Sequence, residues 1–301
     1  WGMLEKLAPT FLAGVPAIVK PASATSYLTE AAVRVMLEAN VLPKGALQLI
    51  VGSTGDLFEH LTTQDVVSFT GSAATANKLK AHPVIVRESV RFVAEQDSLN
   101  ASVLGPDAQA DSPEFDLFVK EVAKEMTVKA GQKCTAIRRA MVPEALLDAA
   151  QAAIAARLEK TTIGDPRDEA TRMGALVSVS QRNDVREKIA VISGDAKIVY
   201  GDPGASPFND KGAFISPVLL RCENPWQARA VHNVEAFGPV STLMPYKDGA
   251  DAIALANRGK GSLVMSAFTY DTGFARELVL GAGSFHGRIA FIDRDSAKES
   301  T

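Results

Sequence analysis

Between residues 13 and 81 the chain alternates short β-branched apolar runs with stretches of helical periodicity, and this alternation restricts the fold more than any other feature. Residues 15–19 form an apolar run closed by Lys20-Pro21. Thr25 stands where a side-chain cap would open a helix. After it Leu28, Ala31, Ala32, Val35 and Met36 recur at the spacing of one helix face, with Asn40 near the end. Extended runs follow at residues 47–51 and 66–70. The first leads through a Gly-Ser-Thr-Gly turn into a short helix, and the second ends at Gly71-Ser72, which opens a helix reaching Ala81. Parallel neighbours in a sheet need a crossover of roughly a dozen residues, usually helical. The expected fold class is therefore α/β, with a Rossmann-like dinucleotide-binding first half.

Gly105-Pro106-Asp107 and Asp111-Ser112-Pro113 punctuate the chain after two further expected strands at residues 90–94 and 102–104. They place a boundary between a first domain at residues 1–108 and a second α/β domain at residues 109–290, leaving a closing segment at residues 291–301. Ser112 as cap and Pro113 at the first helical position start an amphipathic helix with Phe115, Phe118, Val119, Val122, Ala123 and Met126 on one face. That helix delivers Gly131-Gln132-Lys133-Cys134-Thr135. Alternation then resumes with a strand at 140–142, a helix at 145–158, a Gly164-Asp165-Pro166 turn, a helix from about Ser180 and a strand at 198–200.

Composition excludes several function classes. At 301 residues, 47% hydrophobic and 22% charged, the chain is long enough for two packed domains. It has no apolar run of the roughly 18 residues a membrane span needs and no secretory leader pattern, so a cytoplasmic protein with no membrane partner is expected. Net charge is −3, and Lys and Arg are scattered, so nucleic acid is not an expected partner. His60, His82, His232 and His286 stand far apart with no metal-ligand spacing, and no metal is expected. Two cysteines, Cys134 and Cys222, in a long chain without a leader read as thiols rather than a disulfide. A start at Trp1-Gly2 and an end at Ser300-Thr301 read as a segment of a longer protein.

Cys134 is the candidate nucleophile. It lies on an expected loop after the long helix, with Lys129 and Lys133 nearby in sequence, and adjacent cations favour the reactive thiolate. An isolated cysteine is more often a small buried core residue. Cys222, between Arg221 and Glu223 with no helper motif, is read that way.

The context of Cys134 resembles one family. Gly131-Gln132-Lys133-Cys134-Thr135 resembles the nucleophile loop of aldehyde dehydrogenases, and further segments match that family in order. Lys20-Pro21-Ala22-Ser23 looks like its adenosine-ribose strand end, with Lys20 as the ribose contact. Ser68-Phe69-Thr70-Gly71-Ser72 looks like its turn beneath the cofactor phosphates, and Glu95 sits where it carries a general base. Ile163-Gly164-Asp165-Pro166, the Gly212-to-Pro217 stretch, Glu235-Ala236-Phe237-Gly238-Pro239 and Ala256-Asn257-Arg258 complete the series. The resemblance implies Cys134 as nucleophile and Glu95 as base. It further implies Glu235 on the nicotinamide ribose, Phe237 shaping the ring pocket, and a homodimer, with residues 291–301 returning toward the cofactor domain and an oligomerisation region. The family's oxyanion-binding Asn would lie upstream of Trp1.

Two departures bear on specificity. Where the family reads Glu-Leu-Gly-Gly, this chain reads Glu95-Gln96-Asp97-Ser98, a variant similar to the subgroup that oxidises coenzyme-A-linked semialdehydes in aerobic aromatic breakdown. At Ala76 the phosphate turn lacks the second glycine often found there. Ser23 is neutral where a carboxylate would repel a ribose 2′-phosphate, so NADP is the expected cofactor, with NAD as the alternative. The implied activity is oxidation of a CoA-linked semialdehyde to an acid through a thiohemiacetal and a thioester on Cys134. The rivals are a general aliphatic semialdehyde dehydrogenase, a non-catalytic dehydrogenase-like binding module, and a cysteine hydrolase, which would want a histidine partner.

Overall fold

The computed structural model describes residues 2–296. They form two compact units, the first ending at Asp97 and the second beginning at Ser98. This division falls earlier than the expected boundary at residue 108. The strand expected to close the first domain is hydrogen-bonded on both sides within the second unit's sheet, and sheet membership outweighs the Gly/Pro punctuation that follows it.

The first unit runs α1 (Gly2–Leu12), β1 (Ala17–Val19), α2 (Ser26–Glu38), β2 (Leu47–Leu49), β3 (Val66–Thr70), α3 (Ala73–Lys80), α4 (Pro83–Arg87) and β4 (Arg91–Glu95). β1 pairs with β2 and β3 with β4, both in parallel. Residues 23–25 form a 3-10 turn running into α2, and the Thr25 side chain makes no capping bond, contrary to expectation. The inward face of α2 also differs. Val33 is buried with Leu7 and Leu47, and Met36 packs against them, whereas Leu28 and Val35 are 59% and 64% exposed. Apolar residues lie on more than one side of this helix, and the packing partners choose the stripe, which periodicity alone does not reveal.

The second unit runs β5 (Ala101–Leu104), α5 (Pro113–Thr127), β6 (Arg139–Pro143), α6 (Leu147–Leu158), α7 (Val179–Ile192), β7 (Lys197–Tyr200), β8 (Val218–Arg221), β9 (Val240–Tyr246), α8 (Gly249–Asn257), β10 (Met265–Phe268), α9 (Thr272–Ala282) and β11 (Ile289–Ile292). Seven strands form one sheet in the order β11-β10-β5-β6-β9-β8-β7, parallel throughout except for the antiparallel edge strand β7. Successive residues alternate between two cores, as the two-residue strand period requires. Val103, Met141, Leu220, Met244 and Ala267 join the side chains of α7, α8 and α9. Their neighbours Leu104, Val142, Leu219, Leu243 and Phe268 join those of α5 and α6. With both faces covered, these strands read as continuous apolar runs rather than alternating ones.

α5 forms as expected. Pro113 fills its first position, Ser112 accepts the Phe115 N–H, and the six apolar residues of its face are all buried. Each such side chain contributes about 1.5–3 kcal/mol on burial, which fixes the helix whose end carries the nucleophile loop. At the C-terminal end, residues 291–292 belong to β11, paired with β10 in the second unit's sheet. Residues 297–301 lie outside the described residues.

Candidate active site

The chain leaves α5 through three consecutive left-handed residues, Lys129 (φ 54°), Ala130 (φ 52°) and Gly131 (φ 66°). Left-handed geometry at a non-glycine residue costs of order 1 kcal/mol, so neighbouring contacts must over-determine the turn. Only glycine fits the last position, because a Cβ on Gly131 would stand 2.1 Å from the Gly238 carbonyl oxygen. Beyond this turn the Cys134 thiol is exposed while the loop backbone beneath it is held from inside. The Asn100 amide, fully buried, donates to the Cys134 and Ala136 carbonyls at 2.8 Å each. Its own oxygen accepts from Ser98 Oγ at 2.7 Å and from the Val264 N–H. Gln132 donates to the Lys129 carbonyl and accepts the Val177 N–H at 2.9 Å.

The cations expected to favour the thiolate are placed differently. The Lys133 ammonium pairs with Glu125, a buried carboxylate on α5, and Lys129 is exposed. The buried cation of this loop is Arg138. Its Nε donates to Glu235 Oε1 at 3.1 Å, Nη1 to the Gly238 carbonyl at 2.7 Å, and Nη2 to the carbonyls of Gly131 at 2.9 Å and Lys133 at 3.4 Å. The guanidinium also lies 5.5 Å from the Phe237 ring centroid. Burial pushes its pKa down, opposed by the charges of Glu235, Glu125 and Cys134.

Glu235, expected on the nicotinamide ribose, has its second oxygen on the Ser98 N–H at 3.0 Å, and its side chain is only 6% exposed. In this conformation the carboxylate is turned into the second unit. Phe237 is half-buried, with its carbonyl accepting from the Gln181 amide. The second unit thus brings together Cys134, Glu235 and Phe237, joined through Arg138.

The remaining expected residues belong to the first unit, each at the carboxyl end of a parallel strand or just beyond it, the end where ligands bind in open α/β sheets. Lys20 follows β1 and is exposed, its ammonium 3.0 Å from the Pro21 carbonyl, and Ser23 opens the 3-10 turn, also exposed. Gly71 follows β3 and donates its N–H to the Glu95 carbonyl, while Ser72 caps α3 by accepting the Thr75 N–H. Glu95 ends β4 with its side chain 25% exposed and 3.6 Å from the Lys6 ammonium. The backbone N–H of Ala73, in the first turn of α3, is already taken by the Asp97 carboxylate at 2.9 Å. This turn suits a cofactor phosphate in its helix N-terminus and in the small Ala76, buried where a larger side chain would push the helix away. It also holds an internal anion at the same end.

Arg138, Asn100 and Ser98 went unassigned in the sequence. A buried polar network makes no periodic pattern. The one signal present was an Arg138-Arg139 pair entering an apolar strand, where an unpartnered charge would cost too much to bury. Cys222 is fully buried, and burial raises its pKa to about 11, in keeping with a structural thiol. Among the described residues no helix is long and apolar enough to cross a membrane.

Residues 2–282 match the aldehyde dehydrogenase family. The chain is 47% identical over 297 residues to 3,4-dehydroadipyl-CoA semialdehyde dehydrogenase of Aromatoleum evansii, covering 97% of this chain and 58% of that protein. It is 45% identical over 130 residues to Protein MaoC of Klebsiella aerogenes, covering 43% and 38%. In fold it is similar to betaine aldehyde dehydrogenase of Staphylococcus aureus, solved in complex with NAD+, with a TM-score of 0.83 at 28% identity over 96% of this chain and 56% of that one. The chain spans a little over half the length of the A. evansii and S. aureus proteins and belongs to the aldehyde dehydrogenase family.

Proposed function

We propose that the protein carrying this chain oxidises a coenzyme-A-linked semialdehyde to the corresponding acid, using NADP. The observation that carries the reading is the exposed Cys134 thiol on a loop whose backbone is fixed from inside by Asn100, Gln132 and Arg138. A nucleophile needs an accessible attacking atom and an immobile frame, and this loop supplies both. Cys134 Sγ adds to the aldehyde carbon, giving a thiohemiacetal, and the Cys134 N–H is the donor this chain offers to the resulting oxyanion. Bound NADP supplies the hydride acceptor. Oxidation leaves a thioester on Cys134, and Glu95 takes the proton from the water that hydrolyses it.

Lys20 and Ser23 are the residues to hold the adenosine ribose, Gly71 and Ser72 the phosphates, and Glu235 and Phe237 the nicotinamide end. The neutral Ser23 leaves room for a 2′-phosphate. The coenzyme A preference rests on the Glu95-Gln96-Asp97-Ser98 variant and on the likeness to the A. evansii enzyme. A homodimer in the cytoplasm belongs to the same reading.

The test is cofactor reduction with a six-carbon semialdehyde linked to coenzyme A and with free hexanal, each with NADP and NAD, by the protein and its Cys134→Ala variant. Turnover of the linked substrate only, faster with NADP and absent without Cys134, is the expected result. Equal turnover of hexanal would make this a general aliphatic semialdehyde dehydrogenase, a clear NAD preference would remove the role given to Ser23, and full activity in Cys134→Ala would end the thiol mechanism.

A further inference from the structure

We propose that Arg138 is a positioning residue for the nucleophile, tying the Cys134 loop to the segment that carries Glu235 and Phe237. This rests on the reading of Cys134 as nucleophile. Three of its contacts are carbonyl oxygens, two on the nucleophile loop (Gly131 and Lys133) and one on the facing segment (Gly238), and the fourth is the Glu235 carboxylate. Those two segments also touch directly where Gly131 packs against the Gly238 backbone. A planar guanidinium with several fixed donors can span both at once, whereas a single ammonium point charge cannot satisfy four acceptors spread over two segments. Arg138 is itself 5% exposed, so the carbonyls it serves have little access to water as a substitute.

Its placement gives it a second consequence. Glu235 is held by Arg138 Nε and the Ser98 N–H, so a ligand group drawing Glu235 outward takes a bond from Arg138, and the same guanidinium holds the loop that presents Cys134. Occupancy beside Glu235 and the setting of the thiol are thereby coupled through one side chain.

The decisive variant is Arg138→Lys, which keeps a positive charge opposite Glu235 and removes the fork. It is compared with the parent protein for kcat and KM toward the aldehyde, and for the rate of Cys134 alkylation by iodoacetamide, located by peptide mass mapping with and without NADP. With far-UV circular dichroism unchanged, the expected result is a fall in kcat of about tenfold to a hundredfold with KM within about threefold. Cys134 alkylation should change with kcat, and its response to NADP should be lost. Unaltered kcat, alkylation and NADP response would overturn the proposal. If Arg138→Lys does not fold, the paired change Arg138→Gln with Glu235→Gln, which buries no lone charge, is read against Glu235→Gln alone, and equal kcat and alkylation in the two would overturn the proposal. Cys134→Ser in the same assay separates the two ideas. If it keeps full turnover, the thiol reading itself fails; if it is inactive while Arg138→Lys behaves as the parent, only the role of Arg138 fails.

Discussion

The two units use the same βα vocabulary and differ in how much of it they bury. In the second, every residue of β9 is buried, and two cores fill the two faces of a seven-stranded sheet. In the first, Ile18 of β1, Val66 of β3 and Val93 of β4 are 50%, 54% and 61% exposed, and the β1–β2 pair packs on a small cluster around Leu7, Val33 and Leu47. Positioning follows burial. The residues expected to act in the second unit are held by internal hydrogen bonds, through Asn100 and Arg138. Those in the first, Lys20, Ser23 and Glu95, are set by where their strands end and keep contact with water. Within this chain the second unit fixes its candidate nucleophile by internal bonds, and the first sets its groups by where the strands end.

That division of labour fails if the first unit supplies chemistry only weakly. Glu95→Gln carries the largest effect expected in the first unit, a fall in steady-state turnover of about 10²- to 10⁴-fold, the usual contribution of a general base. Because Glu95 is assigned to thioester hydrolysis, a stopped-flow burst of reduced cofactor close to one equivalent of enzyme should persist. Wild-type turnover would leave the first unit with binding alone, and loss of the burst would move Glu95 to an earlier step.

The packed unit should show a pH dependence that originates in its buried histidines. His232 accepts from Arg139 Nη1 at its Nδ1 and donates from Nε2 to the Pro225 carbonyl at 2.9 Å, so it is the neutral form that fits. Burial lowers its pKa to about 4, and that of His286 also to about 4. Between pH 6.5 and 4 the unfolded chain therefore binds more protons than the folded one. Stability from these groups is complete above about pH 6.5 and is lost as pH falls toward 4, by up to about 3 kcal/mol per histidine. Urea midpoints measured across this range should fall, and His232→Gln, which can keep both hydrogen bonds without titrating, should flatten part of the slope. Glu114, held below the usual carboxylate range by Arg294, adds its own loss at lower pH. An unchanged slope in His232→Gln would assign the pH response elsewhere.

How much of this was visible in the sequence follows the same split. α5, its cap and its buried face could be read because one side faces a core and the other water, and the Cys134 loop could be found because a Gly-Gln-x-Cys-Thr string is local. β5 could be recognised as a strand but not assigned to its sheet, since its partners β6 and β10 are distant in sequence. The inward stripe of α2 was hidden by apolar residues on several sides. Arg138 and Asn100 were hidden for a different reason: most of their partners are backbone groups, which leave no trace in residue type. Asn100→Ala therefore tests a residue that only the structure points to. It removes donors to two carbonyls and strands the Val264 N–H and the Ser98 hydroxyl, at an expected cost of about 2 kcal/mol in urea denaturation. A change within a few tenths of a kcal/mol would mean the loop is held without it.

The smallest expected effect concerns the turn at α3, where the lightly packed unit has one feature resembling the other. The Asp97 carboxylate accepts the Ala73 N–H in the helix's first turn. A helix N-terminus carries a partial positive charge and N–H groups that favour an anion, and Asp97 supplies that anion from within the chain. A phosphate arriving at the same turn meets a donor already engaged and a like charge beside it. Asp97→Gly should free the N–H, lowering KM for NADP by about fivefold, equivalent to about 1 kcal/mol, while removing a cap-like bond and lowering the melting temperature by a few degrees. If KM instead rises with the loss of stability, Asp97 works by holding the turn in shape, and the first unit positions its ligand groups by internal bonds after all, as the second unit does.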